Sequence, residues 1–449
     1  MTSADARWDQ LGLEAADLLS ALIQIDTTNP PGNETLAARY LESWLGARGV
    51  VGEVAGGSPE RMSYVARVEG RRPGPTLLLL GHTDVVPAEA EDWTLPPFSG
   101  ALHEDYVWGR GTVDMKNYVS AQAVALTRLV AAGADFAGVI VFCAVADEEV
   151  GSPSGADWLI KNRPELVRCD YVLNEGGGEF IEAAGRRIYL LSVGEKGTAQ
   201  FKLKFSGDAG HASTPLVGRN AVAELARAIS ALLAYEPKVH AAALPMTLVE
   251  QCVCDPGLRQ RLCKPATVRA ALAELNATAP EVARLVAPLY GLTFSPTVVH
   301  ASGKAVNVYP SHAEVCVDCR TLPGQSPEEV RREIDAALNG IDGWELEWIS
   351  VIGGNVSEVD TPLGSAIEEV VTDMVPGAAV APTQCLAYTD SNSFRAAWPD
   401  VTAYGFLPWL TEDYATIKGR MHNKDERIAI RDLGFQAAFV ERLVRELLR

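Results

Sequence analysis

Apolar runs along the chain end repeatedly in polar residues and alternate with stretches of helical period. PTLLLLGHTDVV reads as a continuous apolar strand with a polar end, and VSAQAVALTRLVAAG as a helix closed by a glycine. GVIVFCAVADEEVG is a second buried strand, GADWLIKNRPEL a helix and CDYVLNEGGG a third strand. This alternation predicts an α/β fold, a mostly parallel sheet flanked by helices. Ligands of such sheets bind beyond the carboxyl ends of the strands. His82 and Asp84 follow LLLLG, Asp147, Glu148 and Glu149 follow VIVFCAVA, and Glu175 follows YVLN. The polarity of loops explains one such cluster more easily than three.

From about Gly194 the period changes. KGTAQFKLKFSG alternates as a half-exposed strand, NAVAELARAISALLA is a helix, and VNVYPSHAEVCVDCRTL alternates again. A helix at SPEEVRREIDAALNG and a strand at WELEWISVIGG follow. The series predicts a small antiparallel sheet covered by helices, an α+β two-layer unit. Residues 255–292 read as a helical insertion with no evident role. After Val359 the earlier pattern resumes, with TPLGSAIEEVVTDMV as a helix and PDVTAYGF as a strand. Residues 194–354 are therefore expected to form a domain inserted into one made of 1–193 and 355–449.

Composition narrows the function. A chain of 449 residues exceeds the usual size of a single core, in keeping with two domains. Its net charge of −19 argues against nucleic acid as a partner, which calls for a basic face. No run approaches the ~18 apolar residues of a membrane span, and the acidic, mixed N-terminus is unlike a secretion signal, so a cytoplasmic location with no membrane partner is expected. The eight cysteines form no regular framework, which suits a reducing compartment. Cys316 and Cys319 have C-x-x-C spacing, but VCVDC reads as a strand with no second pair nearby, which disfavours a structural zinc.

The polar strand ends suggest metal chemistry. Two divalent ions about 3.5–4 Å apart need a bridging carboxylate, separate outer ligands and a nearby base. His82 stands at a strand end, and Asp84, two residues on, shares its face and could fix the ring's tautomer. Asp114 in WGRGTVDMKN lies in a glycine-bearing turn before a helix, where a carboxylate could reach two ions. The adjacent Glu148 and Glu149 point differently, so one could bind metal and the other act as a base. Taken alone, D-E-E is a solvated acidic turn. Competing chemistries fit less well. Gly109 and Gly111 supply only G-x-G before an acid, no Walker loop occurs, and GSPSG has proline where a serine elbow needs serine.

The motifs GHTDVVP, WGRGTVDMKN, ADEEVGS, LNEGG, GHASTP and MHNKDER, in this order, resemble those of the M20 metallopeptidases. That family includes carboxypeptidases, aminoacylase, acetylornithine deacetylase and succinyl-diaminopimelate desuccinylase. The resemblance spans nearly the whole chain. It implies two divalent ions, zinc foremost with cobalt or manganese as alternatives. Asp114 would bridge them, His82 and Glu175 would hold one, and Glu149 and His422 the other. Glu148 would be the general base and Asp84 the orienter of His82.

The same resemblance implies that 1–193 and 355–449 carry the catalysis while 194–354 serves as lid and dimerisation domain. His211 would come from the partner subunit of a homodimer to stabilise the oxyanion. Arg320 and Asn307 would contact substrate, with Thr389 and Asp390 in a second substrate loop that is usually richer in glycine. His103, His240, His300 and His312 match no motif. The implied reaction is hydrolysis of an amide or peptide bond in a small substrate with a free carboxylate: a dipeptide, a C-terminal residue or an N-acyl amino acid. The alternative is a metal-binding scaffold that has lost turnover, which would be expected to lack a ligand or the base.

Overall fold

Leu77 to Leu80, all fully buried, form the middle of the strand Arg72–His82, and their side chains enter two cores in alternation. Leu77 and Leu79 pack with the helices Ser3–Ile23, Lys116–Ala131 and Ile430–Leu447. Leu78 and Leu80 pack on the opposite face with Ala156, Leu159 and Phe394. A strand covered on both faces needs an apolar residue at every position, which is what LLLL supplies. The computed structural model describes residues 3–214, 217–240 and 243–449.

Around this strand lies a ten-stranded sheet. Its four central strands, Ala137–Val145, Arg72–His82, Tyr171–Asn174 and Thr402–Gly405, run parallel in that spatial order. Both margins turn antiparallel, through the hairpin Gly52–Ser58 and Arg61–Glu69 on one side and Arg186–Glu195 on the other. The expected parallel sheet is thus its centre. The hairpin escapes a pattern reading because its glycine-rich first strand is only partly buried. The register is decisive for function. His82 is level with Val145, and Gly405 with Asn174, so the strands end together and their next residues share one edge.

A second sheet has the order Thr293–Ala301, His312–Thr321, Gly197–Ser206, Trp344–Ile352, antiparallel throughout. Phe201, Leu203 and Phe205 face its core under the helices Ala221–Ala234 and Pro327–Ala337. Between these elements in sequence come four helices, Ala243–Cys252, Pro256–Leu262, Val268–Thr278 and Pro280–Val286. Their apolar faces pack on Ile181, Ile188, Leu190 and Ala381 of the large sheet. The single helix expected over GADWLIKNRPEL is two, Ala156–Asn162 and Pro164–Val167, because Pro164 disfavours helical backbone at Arg163. Among the described residues no helix is long and apolar enough to cross a membrane.

Candidate active site

The common strand edge gathers His82, Glu148, Glu149 and Glu175, and two loops add Asp114 and His422. The ligand atoms of His82, Asp114 and Glu175 lie within 4.8 Å of one another, as do those of Asp114, Glu149 and His422. Asp114 belongs to both groups: its Oδ1 is 3.0 Å from His82 Nε2 and its Oδ2 is 3.0 Å from His422 Nε2. Glu175 Oε1 is 3.6 Å from His82 Nε2, and Glu149 Oε1 is 3.3 Å from His422 Nε2. Glu148, 4.0 Å from His82 Nε2 and nearly buried, belongs to neither group.

The loop Asp147–Glu149 owes its shape to Asp84. That carboxylate accepts the backbone N–H of Glu148 at 3.1 Å and of Glu149 at 3.0 Å, and the side-chain amide of Asn29 at 2.8 Å. This adjusts the role expected for Asp84. The nearest acceptor to His82 Nδ1 is the Asp84 carbonyl oxygen at 2.9 Å, with the carboxylate Oδ1 at 3.5 Å. A carbonyl only accepts, so Nδ1 carries a proton; the bond of Nε2 to Asp114 then needs the doubly protonated ring, whereas the neutral ring would offer the Nε2 lone pair to a cation.

Glu426 supports Asp114 in a comparable way. Its Oε1 accepts the N–H groups of Gly111 at 3.1 Å, Val113 at 2.6 Å and Asp114 at 3.1 Å, while Oε2 pairs with Arg110 at 2.5 Å. Gly111 adopts a φ of +90°, which lets the turn close around that oxygen. Glu426 and Asn29 were not singled out in the sequence; Glu426 stands four residues after His422 in MHNKDER, and its only signal there is an acid in a charged loop. Since the Arg110–Glu426 pair is fully buried, Glu426→Ala is expected to cost about 3–5 kcal/mol by stranding the guanidinium. The shift of a urea unfolding midpoint measures it.

The electrostatics of the cluster call for cations. Burial pushes Glu148 well above the ordinary carboxylate range, and the charge of Glu175 adds to this. Burial raises Glu175 likewise, helped by Asp114, and raises Glu149 against the opposing bond to His422. Bonds to Asp114 and Glu149 push His422 up to about 10. Burial works to lower His82, yet its bonds to Asp114 and Asp84 carry it upward. Five carboxylates, Asp84 among them, thus share two imidazoles, and Glu149 Oε1 is buried without a hydrogen-bond partner of good geometry. A donor set of imidazole nitrogens and carboxylate oxygens suits zinc, cobalt or manganese.

The cluster opens into a cavity of about 500 Å³ between the two sheets, with Thr198, Gln200, Arg320, Ser350 and Ile352 of the second sheet opposite. Asp318 engages Arg320 Nε at 2.8 Å and Nη2 at 3.1 Å, and Thr198 engages Nη1 at 3.2 Å. One N–H on each Nη nitrogen is left for a further partner. Thr389 reaches the cavity wall, but its hydroxyl and N–H are both given to Glu195. Asp390 is buried, accepts the Ser152 hydroxyl and is not part of the wall. His211 and Asn307 lie close together on one exposed ribbon: His211 pairs with Val308, and Ala212 N–H donates to the Asn307 carbonyl. Neither lines the cavity.

Two ligand groups sharing one carboxylate, with a spare buried glutamate alongside, equip a metal-dependent amidohydrolase. The chain belongs to peptidase family M20/M25/M40, whose sequence model matches residues 78–446. It is 28% identical over 380 residues to a Dictyostelium discoideum protein named "Probable carboxypeptidase S-like 2", covering 82% of this chain and 71% of that one. It is 27% identical over 405 residues to human N-fatty-acyl-amino acid synthase/hydrolase PM20D1, covering 86% and 77%. Its fold is similar to that of an M20 family metallo-carboxypeptidase from Sulfolobus solfataricus, with a TM-score of 0.75, 20% identity and coverage of 97% and 99%.

Proposed function

We propose that this M20 hydrolase cleaves the amide or peptide bond of a small substrate with a free carboxylate, a dipeptide, a C-terminal residue or an N-acyl amino acid, and that it uses two divalent ions. The observation that carries the reading is Asp114, which offers one oxygen to each ligand group while Glu148 remains uncommitted. His82, Asp114 and Glu175 would hold one ion, and Asp114, Glu149 and His422 the other, with zinc foremost and cobalt or manganese as alternatives. When bound, such a pair polarises the scissile carbonyl and brings the pKa of water toward neutrality.

Glu148 takes the proton of the attacking water and delivers it to the leaving nitrogen. Arg320, its fork steadied by Asp318, receives the substrate carboxylate on its two remaining N–H groups. His211 and Asn307 stand on an exposed ribbon outside this cavity, as they would if they served the cavity of a second copy in a homodimer. The eight free cysteines fit a cytoplasmic location.

A hydrolysis screen of the zinc- and cobalt-loaded protein on dipeptides and on N-acetyl, N-succinyl and N-acyl-aromatic amino acids tests the activity. Turnover of none of these would remove the reading. Arg320→Ala is expected to raise KM about 10- to 100-fold, the worth of a bidentate charge-assisted contact, with a smaller change in kcat. Substrates whose carboxylate is replaced by a carboxamide should not sense that change. An unaltered KM for the free acids would exclude the docking role.

A further inference from the structure

The last of the four inserted helices, Pro280–Val286, reaches a second recess through Leu285. Leu285, on the helix Pro280–Val286, forms one wall of a cavity of about 260 Å³, with Leu190, Leu386, Tyr414 and Met421 as its other large apolar members. This cavity adjoins the metal-site cavity directly: Gly176, Arg320, Cys385, Ala387, Lys418 and Met421 line both. Its charges are paired or stand at the junction. Lys418 Nζ meets Glu179 Oε1 at 2.8 Å, and Arg320 marks the boundary between the two spaces.

The position of Arg320 decides what enters. A carboxylate held on its free N–H groups leaves the attached α-carbon at the junction, while the scissile carbonyl lies toward Asp114 and Glu148. The side chain on that α-carbon then has an apolar recess within reach. An apolar cavity of about 150 Å³ accepts a benzene ring, so this one is large enough for a leucine or phenylalanine side chain. We propose that the recess is the specificity pocket for the apolar side chain of the carboxylate-bearing residue and that Leu285, from the last inserted helix, sets its depth. The inference rests on carboxylate docking at Arg320.

The experiment uses the full-length, zinc-loaded protein and two substrate series, N-acetyl or alanyl according to which is turned over. One varies the carboxylate-bearing residue through glycine, alanine, leucine and phenylalanine; the other holds that residue at alanine and lengthens the acyl group. In the parent, kcat/KM should rise about fourfold per added methylene along the first series. Leu285→Trp should lower the leucine-to-alanine ratio of kcat/KM at least about tenfold without altering the acyl-length profile. Leu285→Ala, which deepens the recess, should shift the optimum toward longer side chains and serves where the tryptophan variant does not fold. If both Leu285 variants keep the parental side-chain profile, or shift the acyl-length profile instead, the pocket assignment is overturned. Arg320→Ala separates this outcome from failure of the docking itself: if docking fails, that variant keeps the parental KM for every substrate of both series, whatever Leu285 does.

Discussion

Glu148→Gln is expected to lower kcat by about 10²–10⁴-fold while the protein still binds two ions per chain. Glutamine keeps the size of the side chain and cannot take up a proton. Glu148 lies outside both ligand groups, so its replacement leaves the metal donors intact. The backbone N–H of residue 148 still reaches Asp84, which keeps the loop in place. Turnover and metal content measured on one preparation decide the matter. Parental kcat with both ions bound would remove Glu148 from proton transfer, whereas loss of an ion would recast it as a ligand. The same pair of measurements separates a working hydrolase from a metal-binding relative without turnover.

Stripping the ions with a chelator is expected to abolish hydrolysis and to lower the melting temperature by about 5 °C or more near neutral pH, through the loss of ligand linkage. The effect should depend on pH with a definite sign. In the stripped chain, Glu148, Glu149 and Glu175 have folded-state pKa values above the reference value of 4.5. A carboxyl raised in this way binds its proton more tightly in the folded state. Its contribution to stability is complete below the unfolded pKa and is lost as pH rises through the folded one. Cation binding needs the ionised ligands and so tightens over the same range. The gap in melting temperature between loaded and stripped protein should therefore widen as pH rises above about 5, and the proton that His422 holds up to about 10 in the stripped chain acts in the same direction. A constant gap would mean that the acids do not compete for cations.

The parts of the site that were legible in the sequence share a physical cause. His82 and Glu175 follow strands buried on both faces, and such strands have to be apolar until they leave the sheet, so the first polar residues mark its functional edge. His422 has no such marker. It stands in a charged loop with its side chain half exposed, and only the motif resemblance singled it out. Glu426 and Asn29 stayed hidden because a polar residue in a loop reads the same whether it faces solvent or a buried array of N–H groups. Thr389 and Asp390 show the converse. The motif resemblance implies contact with substrate for both, yet their side chains are engaged by Glu195 and Ser152. The inserted helices from Pro256 onward were legible as helices, while Ala243–Cys252 lay outside the expected 255–292; their destination was not legible, because an amphipathic face states that it needs cover without naming the partner.

Asp84 holds the backbone of Glu148, proposed for proton transfer, and that of Glu149, a proposed metal ligand, with one carboxylate. Substitutions at that position would therefore disturb cation affinity and proton transfer together, and a laboratory selection for a different cation would find few improvements there. The His422 loop is the more open route. Its imidazole is 48% exposed and is carried by a loop rather than by a strand end, so it could be re-aimed without moving Glu148. Under the proposed assignment, metal preference is open to change at the His422 loop, whereas proton transfer is guarded by the bonds that Asp84 makes.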